Sequence, residues 1–293
     1  MYTDLFGRPR LKLGLHHHTT RSDGRLTPEQ TARLYREAGY DAIAVTDHWV
    51  YSPGETLADL PVLPGGEYHT GIRDGFEGVY HILCLCPDRK PELDRSMTPQ
   101  QIIDGIHEAG GLAILAHPAW SLNSPEKIRA LQGLDGLEIW NTVSERGYSR
   151  RGDSSILVDM LASEGLLYPL LAADDSHFYE SSGNFADSRT AFIMAQCDSA
   201  EPEKVRQAIR EGRFYASTGP EIHLSVTDGL AVADCSPASE IVFLSNFVYV
   251  NGRVFTGEGL THAEYPVQPG ETFLRAYVTD SSGRRAWSCP VKL

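Results

Sequence analysis

The stretch LGLHHHTTRSDG, Leu13 to Gly24, puts three histidines at the end of a short apolar run and an aspartate five residues after the last of them. A purification tag is longer and sits at a terminus, whereas this tract is flanked by KLGL and a turn and reads as native chain. In a strand, alternate side chains share a face, so His16 and His18 point one way and His17 the other. Such a His-x-His pair can bring two imidazoles to one metal ion. Alone it is a weak signal, because a histidine after an apolar run is more often a core or loop residue. Its weight depends on partners elsewhere in the chain.

Partners recur at the ends of other apolar runs. VTDH closes with Asp47 and His48, VLPGGE with Glu67, LAILAHP with His117, and LLAADDSH with Asp175 and His177, while YHILCL opens with His81. The runs KLGLH, AIAVTDH, VYHILCL, LAILAHP, GLEIWN, LLYPLLAADDSH and TAFIMAQ read as strands covered on both faces. Helix starts lie between several of them. Thr27-Pro28-Glu29-Gln30 and Thr98-Pro99-Gln100-Gln101 each offer an N-cap, a proline at the first helical position and a capping-box glutamine. Gly39, Gly110 and Gly165 supply stops. This alternation predicts a parallel sheet or barrel. The C-terminal ends of parallel strands are where such folds collect active sites.

The pattern changes at FYASTGPEI, Phe214 to Ile222. Beyond it no helix is expected. IHLSVTD, EIVFLSN, VYVNGRVF and TFLRAYVTD read as strands, with turns at Asn251-Gly252 and Ser282-Gly283. The expected organisation is an α/β domain over residues 1–219 and a small antiparallel β domain over residues 220–293.

Composition limits the function classes. The 293 residues carry a net charge of −13 with the histidines neutral. That balance disfavours an extended nucleic-acid footprint, which needs a basic patch. No apolar run approaches the length of a membrane span and no signal peptide is evident at the N-terminus, so a cytoplasmic location is expected. Five cysteines do not suggest a disulfide framework, and Cys84 and Cys86 read as small buried apolar residues.

In this order and spacing, LHHHTTRSDG, VTDH, GGE, HILCL, AHP and DSH resemble the PHP (polymerase and histidinol phosphatase) family of metallohydrolases, over about residues 11 to 218. GLEIWN, EGRFYASTGP and the β tail resemble the branch typified by the CehA and McbA hydrolases. The sequence departs from the family pattern at Gly14, where many relatives have an aspartate. The resemblance implies a distorted seven-stranded (β/α) barrel with two or three divalent metals, zinc, manganese or iron, at its mouth. By motif, His16 and His18 would hold one metal with Glu67 and Asp175. Glu67 would bridge to a second, held by His81 and His117, and Asp23, His48 and His177 would hold a third, a trinuclear site. Mixed imidazole and carboxylate ligands without a thiolate set suit those metals. Cations lower the pKa of bound water towards neutrality, so the nucleophile expected is a metal-bound hydroxide.

Other residues near these motifs are candidates of a different kind. His69 follows Glu67 closely and is a candidate to meet the substrate or a leaving group. Asp47 either orients imidazoles and moves protons or caps a turn. Arg21 sits on the ligand-bearing loop, and Arg146, Arg150, Arg151 and Arg189 are further candidates to meet an anion. Asn141 ends the strand LEIWN and is a candidate to face the pocket. His17 is expected to pack behind its strand, His107 to be a solvated helix residue, and His223 and His262 to be structural. Three readings follow: hydrolysis of a small, anionic phosphoester; hydrolysis of a carboxylester, carbamate or amide; and a metal-binding module without turnover. Basic groups converging on the site would favour the first, and an apolar cleft with few arginines the second. The oligomeric state is open.

Overall fold

Both Thr-Pro-x-Gln signals start helices, Pro28–Glu37 and Pro99–Glu108, each with a complete capping box. In the computed structural model, which describes residues 2–70, 79–179 and 185–293, the first buries Thr31, Ala32 and Tyr35 and the second Ile102, Ile103 and Ile106. Gly39, Gly110 and Gly165 follow helices at φ of 76°, 81° and 87°, the left-handed region a glycine enters without a Cβ clash.

The strands form two sheets. The smaller has five, in the order Leu170–Ala173, Gly136–Asn141, Leu112–Leu115, Tyr80–Leu85, Gly65–Thr70. The first three are mutually parallel, but Tyr80–Leu85 runs antiparallel to both its neighbours. The larger sheet has thirteen strands. In it Pro9–Gly14, Ala42–Ala44 and Leu60–Leu63 are parallel, and Phe192–Ala195 and Phe214–Ser217 continue antiparallel from Pro9–Gly14. Leu11 and Leu13 of one sheet, with Leu15 just past its strand, pack with Leu83, Leu85, Ile114 and Leu171 of the other in a shared, buried core.

The expected parallel pairing is thus corrected to a mixed α/β fold, and among the described residues its ladders form no closed barrel. Among the described residues, segments of the two sheets meet at three single bridges, His17 with Ser176, His48 with Glu67 and Ser52 with Gly65. The physical reason lies in the backbone. Where the strands reach the metal-competent residues they leave extended geometry, with Trp49, His117 and Asp175 at φ of 58°, 30° and 53°. A chain turning into left-handed geometry cannot continue a ladder.

Past residue 219 all strands are antiparallel. Arg285–Ser288 pairs with Phe214–Ser217, and Phe273–Thr279 passes the ladder on to Leu230–Leu244. The hairpin Leu230–Leu244 with Val254–Pro266 is longer than the sequence suggests. VYVNGRVF is not one strand: pairing resumes only at Val254, and Val248 and Tyr249 are exposed. Val250 packs on the core of these strands but Val248 and Tyr249 have no core to face, and Gly252 at φ 78° turns the chain. Arg275, wholly buried on Phe273–Thr279, ties these strands to the helix Ser155–Ser163 through Asp159, with Nε 2.6 Å from Oδ1 and Nη2 2.7 Å from Oδ2. No described helix is long and apolar enough to cross a membrane. The five cysteines are free, and burial pushes the Cys86 thiol up to about 12, consistent with a packing role.

Candidate metal centre

The nine residues that the family resemblance implies as ligands meet in space. Glu67, fully buried in the strand Gly65–Thr70, stands at their middle. Its Oε1 is 2.8 Å from His81 Nδ1 and 3.5 Å from both His16 Nε2 and His117 Nε2. Its Oε2 is 2.8 Å from His48 Nδ1 and 3.3 Å from His18 Nε2. Asp175 Oδ1 lies 3.0 Å from His18 Nε2 and 3.2 Å from His16 Nε2. Half-exposed Asp23 reaches His177 Nε2 at 3.5 Å, His48 Nε2 at 3.7 Å and His18 Nδ1 at 3.7 Å.

Three groups have ligand atoms all within 4.8 Å of one another: His16, His18 and Asp175; His48, Glu67 and His81; and His18, Asp23, His48 and His177. The grouping differs in detail from the one the family pattern implies. His18 and His48 each belong to two groups, and His117 belongs to none, although its Nε2 faces both Glu67 and Asp175.

Whether these residues fit cations can be tested on their hydrogen bonds. Buried polar atoms are normally bonded, and each exception needs an explanation. His18 Nδ1, His48 Nδ1, Glu67 Oε2 and Asp175 Oδ1 are buried without a hydrogen-bond partner, although some lie at contact distance. The outer nitrogens, by contrast, are held. His16 Nδ1 meets Glu138 Oε1 at 2.8 Å, His117 Nδ1 meets Ser121 Oγ at 3.0 Å, and His177 Nδ1 meets the carbonyl of Asp175 at 2.8 Å. With Nδ1–H donated outward, each of these rings turns the lone pair of Nε2 into the cluster, the tautomer a metal ligand requires. Imidazole and carboxylate donors with no thiolate among them suit zinc, manganese or iron. The residues fit.

The charges agree with that reading. Burial alone would lower the pKa of His18, but Asp175 and Glu67 overcome it and raise the ring to about 9. Burial likewise opposes, and the facing imidazoles reverse, the shifts of Glu67, Asp175 and Asp23, whose carboxyls are all held below their ordinary range. Protons and cations therefore compete for the same donors.

His17 points the other way, as expected. Its ring packs on Tyr35 at 4.2 Å between centroids, and Nδ1 meets Ser176 Oγ at 3.0 Å. Burial, then the charges of His16 and His18, push its pKa down to about 3, so it is neutral. It also accounts for Gly14. A Cβ there would lie 2.5 Å from His17 Nε2 and 3.2 Å from Tyr35's neighbour Tyr40, so the imidazole fills the space a side chain would need. Gly14→Ala is expected to destabilise the fold by about 1–3 kcal/mol, the usual penalty of overpacking. Denaturant unfolding checks this, and a stability equal to wild type would show that the ring can move aside.

The other candidates fall around the cluster. His69 stacks on His81 at 5.2 Å and meets His48 edge-on, with Nδ1 buried and without a hydrogen bond. Asp47 is fully buried, and its oxygens accept from the Thr19 amide at 2.7 Å, Thr19 Oγ1 at 2.6 Å and Ser22 Oγ at 2.6 Å. It therefore shapes the loop that carries Asp23. Arg21 is bonded to Ser52 and Glu55 and does not line the cavity. Arg146 bonds the carbonyl of Ala186. His107 is not simply solvated, since it meets Asp135 Oδ2 at 2.9 Å. His223 pairs with Glu221, and His262 with Asp234 at 2.7 Å.

A cavity of about 330 Å³ opens on the cluster, lined also by Trp120, Val143 and Ser144, none of which the sequence singled out. Among the described residues no arginine or lysine lines it. A larger cavity, of about 630 Å³, lies elsewhere, beside Arg10, Arg213 and His223. These already have carboxylate or carbonyl partners in Asp4, Glu211, Gln196 and Glu221. A separate group there, Asp4, Glu221 and His223, could also hold a cation by distance, but Arg10 already supplies it with positive charge at 2.9 Å from Asp4. Glu138 was missed as well. A glutamate inside the apolar run GLEIW is the signal that could have found it.

No family profile matches the chain, and no curated protein does. Solved structures do. A two-domain protein of Bacteroides vulgatus containing a predicted PHP-like metal-dependent phosphoesterase aligns over 100% of this chain and 97% of its own, with a TM-score of 0.55 and 15% identity. A presumed metal-dependent phosphoesterase of Bifidobacterium adolescentis aligns over 69% of this chain and 97% of its own, with a TM-score of 0.45 and 15% identity. An amidohydrolase of Chromobacterium violaceum with bound sulfate and no metal aligns over 56% and 87%, with a TM-score of 0.41 and 16% identity. The first alignment shows a shared fold, and the other two add nothing to it.

Proposed function

We propose that this chain is a metal-dependent hydrolase of small phosphoesters, with the nine clustered residues as ligands for three divalent cations. The observation that carries the reading is the convergence of buried, unbonded ligand atoms from His48, Glu67 and Asp175 on one cavity, with His18 Nε2 3.0 Å from Asp175 Oδ1 and 3.3 Å from Glu67 Oε2 behind it. Bound divalent cations supply Lewis acidity, neutralise developing negative charge and lower the pKa of coordinated water. Glu67 and Asp175 provide the anionic charge that closely spaced cations need between them. His16, His117 and His177 keep their Nδ1 protons pointed outward, and Asp47 holds the Asp23 loop in place. The shared fold with a protein containing a predicted PHP-like phosphoesterase favours phosphoester over other substrates. The net charge of −13 favours a small molecule over extended nucleic acid.

Two finer points belong to the same proposal. The bridges at His17 and His48 would complete a ring of the strands bearing the ligands, a distorted seven-stranded barrel. The resemblance of GLEIWN and EGRFYASTGP to the CehA and McbA hydrolases supports reading the chain as a member of that branch.

One observation favours a second reading. Trp120 and Val143 line the cavity and, among the described residues, no arginine or lysine does. Such a wall suits a carboxylester, carbamate or amide with an apolar group, whose carbonyl the same cations would polarise. A plate of phosphomonoesters, phosphodiesters, aryl esters and carbamates, with zinc-, manganese- or iron-reconstituted protein, separates the readings. Turnover of a phosphoester above the rest is expected. Turnover of an ester or carbamate alone selects the second reading, and metal uptake without turnover of any substrate selects a binding module.

The chemistry is assigned to residues 1–219, and residues 220–293 are proposed to contribute none. His223→Ala and His262→Ala are therefore expected to keep the wild-type metal content. Loss of an equivalent from either variant, still folded, would contradict the division.

A further inference from the structure

Glu138 sits in the strand Gly136–Asn141 between the buried Leu137 and Ile139, and is itself fully buried. A carboxylate in such a place is expensive unless both oxygens are bonded. Both are. Oε1 accepts from His16 Nδ1 at 2.8 Å. Oε2 accepts from the backbone amide of His117 at 2.8 Å and from Asn141 Nδ2 at 2.9 Å. Asn141 Nδ2 is also 3.3 Å from Asp175 Oδ2, and its Oδ1 accepts from the Ser144 amide at 3.0 Å. One buried carboxylate thus touches, directly or through Asn141, three of the segments that carry the cluster.

We propose that Glu138 is a positioning residue that sets His16, His117 and, through Asn141, Asp175 for cation binding. The inference rests on the metal-centre reading of the site. At His16 the carboxylate keeps the proton on Nδ1 and leaves the lone pair of Nε2 facing Asp175 at 3.2 Å. At His117 it holds the amide of a residue in left-handed geometry, φ 30°, which a histidine adopts only when its surroundings fix it. Its charge also raises the basicity of His16, as carboxylates behind metal-binding imidazoles do.

The donor count explains why glutamine cannot substitute. His16 Nδ1–H, the His117 amide and Asn141 Nδ2–H all point at Glu138. A carboxylate accepts at both oxygens, whereas an amide must turn its NH₂ towards one of these donors. Glu138→Gln therefore loses at least one link while keeping the size of the side chain.

The test uses the full chain. Zn²⁺ and Mn²⁺ binding is measured by competition with a chelator, in wild type and in Glu138→Gln, and the melting of the metal-free proteins is compared. The expected result is a loss of about 10–100-fold in affinity for at least one of the two cations read as held by His16 with Asp175 and by His117, the scale seen when partners behind a metal-binding histidine are removed. The cation read as held by Asp23, His48 and His177, none of which Glu138 bonds, should bind as before. A folded variant with wild-type affinity for every cation overturns the inference and leaves the metal centre standing. A wild-type protein that takes up no cation overturns both. Should the variant fail to fold, NMR of nitrogen-labelled imidazoles in cadmium-loaded wild type decides. Coupling of His16 to cadmium through Nε2, with Nδ1 protonated, supports the role. Coupling through Nδ1, or a proton on Nε2, rejects it.

Discussion

Glu67→Gln is expected to leave the protein folded and cut turnover by about 10²–10³-fold, the scale on which loss of a single preorganised charge-stabilising contact acts. The two side chains have nearly the same shape, and the neutral amide adds no unpaired buried charge. What changes is chemical. Glu67 faces five imidazoles at 2.8–3.5 Å, and both its oxygens can serve as anionic donors. Glutamine offers one neutral oxygen and turns an NH₂ group, which cannot accept, towards either the His81 side or the His48 side. Cations bound side by side there would then lose the negative charge that offsets their repulsion. The measurement is steady-state turnover at saturating metal, with metal content determined on the same sample. Near-wild-type turnover at full metal content would remove Glu67 from the centre of the account.

The second large effect is expected at Asp23. Its carboxylate has two readings, a cation ligand or a cap for the turn before Gly24. The hydrogen bonds separate them. The turn is held by the amides of Ser22 and Gly24 on the Thr19 carbonyl, each at 3.0 Å, and by Asp47 on Thr19 and Ser22. Among the described residues Asp23 accepts only from Ser22 Oγ, at 3.1 Å, while it faces His177, His48 and His18 across 3.5–3.7 Å. Removing it should cost the loop little and the centre much. Asp23→Ala is expected to bind one metal equivalent fewer than wild type, with two retained, and to lose on the order of 10²-fold in turnover. Unchanged stoichiometry would return Asp23 to the loop.

Much of the centre was legible because it is written locally. A ligand that closes an apolar strand can be read from its own neighbours, so His16, His18, His48, His117, Asp175 and His177 stand out. The helix starts at Thr27 and Thr98 were legible for the same reason, since a capping box is complete within four residues. Glu138 was not legible, because its partners His16 and His117 lie far away in sequence and meet it only after folding. The direction of Tyr80–Leu85 was equally hidden. Nothing in VYHILCL says which way its neighbours run, and helical alternation suggested parallel pairing throughout. VYVNGRVF misled for a related reason: alternation predicts a strand, but only a facing core makes one, and Val248 and Tyr249 have none. Gly14 shows the reverse case. It departs from the family pattern in sequence, and the structure supplies the cause in the ring of His17.

The central claim is that the clustered histidines and carboxylates hold cations. It is tested most directly by anomalous scattering at the manganese edge from crystals grown with excess Mn²⁺, alongside metal analysis of the same protein. The account predicts three peaks in the space enclosed by His16, His18, Asp23, His48, Glu67, His81, His117, Asp175 and His177, with Glu67 at their centre. A map without anomalous density there, or with density only beside Asp4, Glu221 and His223, would contradict it.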